Sequence, residues 1–171
     1  SDNPWDHLFD FALPGYNVRP IEFEAAVGRE QLKKLPDFLE AREENQKYFY
    51  SIFSQIESLV LQVGPGKTSS FGFSMYLGNP EISALNGQII RTKIVSALHK
   101  IGVESRPIVT GNFTKNSVMK YLNHAPLAEY PVADRVHNTG FFLGNHHYSI
   151  KDQIDQAFEV IEKVLVQEGI Q

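Results

Sequence analysis

Cysteine is absent from this chain. Disulfides, thiolate nucleophiles and cysteine-held iron–sulfur clusters are therefore excluded, and the composition fits a reducing compartment such as the cytosol. Long hydrophobic runs are missing too: nothing approaches the roughly 18 apolar residues that would cross a bilayer, and no secretory leader pattern opens the chain. There is no surplus of positive charge. Lys and Arg number 16 against 20 Asp and Glu, a net charge of −4, and Lys33-Lys34 is followed by Asp37 and Glu40. Neither nucleic acid nor a membrane is indicated as a partner. No internal repeat or low-complexity segment is found. No Ser/His/Asp constellation or dinucleotide fingerprint is readable, and Gly64-Pro65-Gly66 is not followed by the helix a phosphate loop needs.

What is present is the composition of a folded protein, 42% hydrophobic and 21% charged over 171 residues. That is enough for one domain with a sizeable core. The chain starts at Ser1 without methionine, which we read as a boundary inside a longer protein.

The stretch that organises the rest is Leu13-Pro14-Gly15-Tyr16-Asn17-Val18-Arg19-Pro20. A Pro-Gly turn, an aromatic residue, an amide, a guanidinium and a second proline precede a helix, a dense polar approach that makes a poor core. Pro20 suits a first helical turn. Phe23, Ala26, Val27, Glu30, Leu32 and Leu35 form an imperfect helical stripe over about 21–35, closed by Pro36 and read as core. A second helix is expected over about 37–56, with Phe38, Leu39, Phe49, Phe53 and Ile56 on one face. Strands are indicated at 59–63 and 69–77. A helix over about 88–100, capped by Asn86 or Gly87, ends at Gly102. An edge strand over 103–109 carries Pro107. A polar loop at 110–116, short helices near 117–122 and 132–139, a strand at 140–143 and a helix opening at Ser149 complete an α/β order of elements. The divisions expected are 1–20 as a lead-in loop, 21–56 as two connecting helices and 57–171 as an α/β domain with three or four strands.

Each candidate site has two readings on residue types alone. Asn17 and Arg19 are a turn amide and a surface arginine, or a planar donor fork beside an amide that suits a phosphate or carboxylate. Arg106 either forms a strand-end ion pair around Glu104 or, with Asn112, contacts a ligand. His146 and His147, adjacent in a strand, point opposite ways. With no third ligand at suitable spacing they argue against a metal and suit hydrogen bonds to a sugar hydroxyl or phosphate, or a purely structural place. His7, His99, His124 and His137 look scattered and solvated.

The run from Gly15 to Pro20 with Glu22, Ala25, Ala26, Gly28, Gln31 and Leu32 resembles a segment of the DegT-type family of pyridoxal-phosphate-dependent nucleotide-sugar aminotransferases and dehydratases. The resemblance continues through Phe71-Gly72-Phe73, the string from Gly102 to Phe113 and Gly140 to His147. Family proteins are about twice this length, so the similarity is to their C-terminal portion. It implies the C-terminal small domain of a fold-type I pyridoxal-phosphate enzyme, with a small mixed or antiparallel sheet covered by helices. By the same resemblance Asn17 binds the cofactor phosphate of a neighbouring subunit in a homodimer. Arg19, Arg106, Asn112, His146 and His147 then serve the substrate, a nucleotide-linked 4-keto-6-deoxysugar.

The Arg106-Pro107-Ile108-Val109-Thr110-Gly111-Asn112-Phe113 string is most similar to the 3-dehydratase branch, whose members act on GDP-4-keto-6-deoxymannose. Removal of the C3 hydroxyl for lipopolysaccharide deoxysugar synthesis is therefore the activity implied. The cofactor is pyridoxal or pyridoxamine 5'-phosphate, and an amino acid such as glutamate is the amine donor, in the bacterial cytoplasm. No catalytic residue and no metal ligand is assigned within the chain. The cofactor is held mainly by an N-terminal portion, so the chain alone is expected to be inactive. The alternatives are transamination of the same substrate class and a non-catalytic binding domain.

Overall fold

The structure, a computed structural model, describes residues 13–15, 21–64, 66 and 68–170. Helices α1 (Glu22–Leu32) and α2 (Leu35–Phe53) lead into strands β1 (Leu59–Leu61) and β2 (Gly72–Leu77). Then come α3 (Ala84–Lys100), β3 (Ser105–Arg106), 3-10 turns at Phe113–Lys115 and Ser117–Tyr121, α4 (Pro131–Thr139), β4 (Phe141–Gly144) and α5 (Lys151–Gln167). The four strands form one antiparallel sheet in the order β1-β2-β4-β3.

Register sorts the side chains. Leu59 pairs with Leu77, Met75 with Phe141 and Phe73 with Leu143, so these residues share one face, and all are buried. Against that face lie Ile90, Ile94 and Leu98 of α3 and Ile154, Ala157, Ile161 and Leu165 of α5. The second half of α2 joins the same core: the Phe49 ring stacks on Phe53 at 4.3 Å and on Phe73 at 4.4 Å. Each buried Leu, Ile, Met or Phe side chain here contributes about 1.5–3 kcal/mol. The other face, carrying Ser74, Tyr76 and Phe142, is only half-buried.

Helix ends depart from the sequence reading where a local signal was misassigned. Pro36 does not close the first helix. It lies in the first turn of α2, where its missing N–H leaves nothing unpaired. Ser83, not Asn86 or Gly87, caps α3, its Oγ accepting from the Asn86 N–H at 3.2 Å. Gly87 sits inside that helix, where a Cβ would stand 2.5 Å from Thr139 Cγ2, so glycine lets α3 and α4 approach. Gly102 does terminate α3, at φ +79°, with the N–H of Val103 returning to the Leu98 carbonyl and that of Gly102 to His99 at 3.0 Å each, a Schellman end. α5 opens at Lys151 after Ile150, without a side-chain cap from Ser149.

Two further expectations change. The strand read over 103–109 shrinks to Ser105–Arg106, because Pro107 cannot donate and the chain turns at once: Gly111 N–H reaches the Ile108 carbonyl at 2.8 Å. Within that turn Val109 adopts φ +42°, which costs a branched residue about 1–3 kcal/mol. The α1 stripe is not core. No α1 residue is buried, and Phe23, Val27 and Leu32 are 73%, 45% and 63% exposed.

Candidate functional site

The site grows from the turn that leaves β4. Asn145 is buried at its start, and its Nδ2 donates to the Arg42 and Ser70 carbonyls at 2.9 Å each. Asn45, on α2, is 1% exposed. Its Nδ2 faces Asn145 Oδ1 at 3.1 Å, the His146 carbonyl at 3.1 Å and the Tyr148 carbonyl at 2.7 Å, while its Oδ1 accepts from the Ile150 N–H at 3.2 Å. A buried amide is unfavourable unless its groups are bonded, and here the bonds fasten the 145–150 turn to the helix.

The fastened turn displays rings. His146 stacks on Tyr148 with centroids 4.8 Å apart, His147 meets Tyr148 edge-on at 5.3 Å, and His147 lies 4.4 Å from the Phe38 ring. His146 and Tyr148 open onto a cleft of about 410 Å³ between the β3 edge and the start of α5, with Glu104, Arg106 and Gln153 on its walls and an apolar floor that includes Phe142 and Ile154. An apolar floor with a few polar groups on the rim is the usual make-up of a small-molecule site. Among the described residues no lysine or aspartate lines this cleft.

Arg106 donates from Nε and Nη2 to one oxygen of Glu104, at 2.9 and 2.6 Å. The pair is solvent-exposed. The structure thus brings Arg106 and His146 to one cleft and turns His147 toward α2. Asn112 lies apart. It is 5% exposed, its Oδ1 accepts from Thr114 N at 3.0 Å and Thr114 Oγ1 at 2.6 Å, and its Nδ2 donates to Asp134 at 2.7 Å. Lys115 reaches the same carboxylate at 2.6 Å. Those two bonds, Lys115 first and Asn112 second, hold the Asp134 carboxyl below the usual range. The Asn112 amide therefore ties the loop to α4.

His137 is half-buried, with Nδ1 3.2 Å from the Thr110 carbonyl. It is not the solvated residue its spacing suggested. Asn17 and Arg19 lie outside the described residues. Among the described residues no group of three or more His, Asp or Glu side chains is placed to hold a metal ion, and no helix is long and apolar enough to cross a membrane.

Sequence reasoning missed Asn45, Asn145, Tyr148 and Gln153. One signal was available: Asn45 follows Phe38 by seven residues and precedes Phe49 by four, a polar residue on the apolar stripe of its helix.

Comparison with known proteins agrees with this architecture. Residues 2–164 match the profile of the DegT/DnrJ/EryC1/StrS aminotransferase family. A GDP-4-keto-6-deoxy-D-mannose 3-dehydratase from Yersinia pseudotuberculosis is 40% identical over 164 residues, covering 95% of this chain and 40% of that protein. The structure of the E. coli GDP-4-keto-6-deoxy-D-mannose-3-dehydratase with bound hydrated PLP superposes with a TM-score of 0.74 at 41% identity, covering 94% of this chain and 40% of that one. A second structure of such a dehydratase, with a trapped PLP-glutamate geminal diamine, matches with the same score, identity and coverage. The chain thus spans about 40% of the length of the relatives it matches.

Proposed function

The chain belongs to the DegT/DnrJ/EryC1/StrS aminotransferase family, and on that premise we propose that it is the C-terminal part of a pyridoxal-phosphate-dependent enzyme. That enzyme removes the C3 hydroxyl of a nucleotide-linked 4-keto-6-deoxyhexose during deoxysugar synthesis. One observation carries the reading: 40% identity to a 3-dehydratase, spread over 95% of this chain.

In this reading the cleft beside β3 receives part of the substrate. Arg106 offers a guanidinium to its negative charge and His146 a ring nitrogen to a hydroxyl or phosphate oxygen. His147 backs the ring array, and Asn112 shapes the loop that follows Arg106. The cofactor supplies the electron sink for breaking the C3 carbon–oxygen bond. Its ring needs an acid beneath the pyridine nitrogen and a base nearby. Of the described residues lining the cleft, the one carboxylate, Glu104, is taken up by Arg106, the one imidazole, His146, is stacked on Tyr148, and no lysine is among them, so they do not fit the ring. Residues preceding this chain hold most of the group, and Asn17 reaches its phosphate from the neighbouring subunit of a homodimer, with Arg19 toward the substrate. Glutamate serves as amine donor, and the enzyme works in the bacterial cytoplasm.

The test is incubation of the full-length protein with pyridoxal phosphate, glutamate and GDP-4-keto-6-deoxymannose, followed by mass spectrometry. A product that has lost the C3 oxygen supports dehydration. One that keeps that oxygen and carries an amine at C4 establishes transamination instead. Asn17→Ala in the same protein should lower cofactor absorbance while it stays folded, and unchanged absorbance refutes the role given to Asn17.

A further inference from the structure

We infer that Asn45 is a positioning residue for the substrate cleft: its buried amide holds the backbone of the 145–150 turn so that His146 and Tyr148 stand at the cleft that Arg106 lines. The inference rests on the substrate role proposed above for that cleft.

Asn45 occupies a place in α2 where an apolar side chain would satisfy the core, since Phe49 follows one turn later at 1% exposure. An amide at 1% exposure is disfavoured unless bonded. Its bonds go to the turn: carbonyls at His146 and Tyr148, the N–H of Ile150 and the Asn145 side chain. Among the described residues no other hydrogen bond reaches the His146 or Tyr148 carbonyl, so this one side chain sets both peptide planes. The ring of each residue then projects from a fixed plane, and the stacked His146–Tyr148 pair occupies one position on the cleft wall. Asn145 braces the same turn from its other end through Arg42 and Ser70.

A residue acting through another differs in its kinetic signature from one that only stabilises the fold. In the full-length protein Asn45→Asp keeps side-chain size but turns a carboxylate toward two carbonyls. A misplacement of about 1 Å at a positioned group costs up to about 100-fold. KM for the GDP-linked 4-keto-6-deoxyhexose should therefore rise at least about tenfold, with kcat within about threefold and cofactor absorbance unchanged. In a His146→Ala background most of that effect should vanish, because the residue being positioned is gone. Should Asn45→Asp fail to fold, Asn45→Ser carries the same comparison.

A lowered melting temperature with a wild-type KM overturns the inference, as does full additivity of the two substitutions. A wild-type KM in His146→Ala alone sinks the cleft reading and this inference together. A raised KM in His146→Ala beside a wild-type KM in Asn45→Asp sinks the inference and leaves the cleft reading standing.

Discussion

Replacing Asn145 by alanine should destabilise the chain far more than the same change at His146, one residue on. The Asn145 side chain makes three hydrogen bonds, to the Arg42 carbonyl, to the Ser70 carbonyl and from Asn45. The Ser70 carbonyl, half-buried, would lose its partner, which costs about 1–3 kcal/mol. The Arg42 carbonyl keeps the bond it makes inside α2 and loses only a second one, about 0.5–1.5 kcal/mol. Asn45 still has two carbonyls within reach and loses little. The total is about 1.5–4.5 kcal/mol, a large part of the roughly 5–15 kcal/mol that holds a domain together. His146 is exposed, so its alanine variant should stay within about 0.5 kcal/mol. Urea titrations of both variants and the parent, followed by circular dichroism with slopes compared, measure the difference. A loss below about 1 kcal/mol at Asn145, or one equal to that at His146, would refute the claim that the buried amides hold this turn.

Arg106→Ala should leave stability within about 0.5 kcal/mol, since its exposed pair with Glu104 is worth little, and raise KM of the full-length enzyme about tenfold. An unchanged KM removes Arg106 from the site. Asp134 has its carboxyl held low in the folded chain, so its stabilising link to Lys115 and Asn112 is fully present above the ordinary carboxylate value and is lost as pH falls through the lowered one. The stability difference between the parent and Asp134→Asn should thus be constant near neutrality and shrink in acid. A difference independent of pH down to strong acid contradicts it. Gly111→Ala places a Cβ 2.7 Å from His137 Cα at φ +58°, and should cost about 1–2 kcal/mol or more by thermal unfolding. No shift in melting temperature would show that the loop yields freely.

Much of the fold was legible because its signals are local. The apolar period of α3, the glycine that ends it and the alternation through β2 need only neighbours in sequence to be read. Ion pairing of Arg106 with Glu104 was one of two readings for the same reason. The rest depends on contacts that sequence order hides. Asn45 and Asn145 are partners across 100 positions, so their adjacency, and with it the purpose of a polar residue on an apolar stripe, emerges only after folding. Val109 runs against local preference, holding a positive φ that branched side chains avoid. Ile150, at the N-cap of α5, has no side-chain oxygen to cap it, and its N–H goes instead to Asn45 of another helix. Asn112 was placed in the correct loop, yet its amide is spent within the chain, a distinction residue type alone does not make.

Helix α1 has 11 residues and none of them buried, whereas helices shorter than about 12–15 residues are marginal in water on their own. Its winding is therefore poised. Whatever surface comes to cover Phe23 and Val27 would also decide how much of the time these turns are formed, and part of that surface's attraction would go into coiling the peptide. Amide exchange along Glu22–Leu32 would report such docking directly, as a slowing that spreads through the segment together.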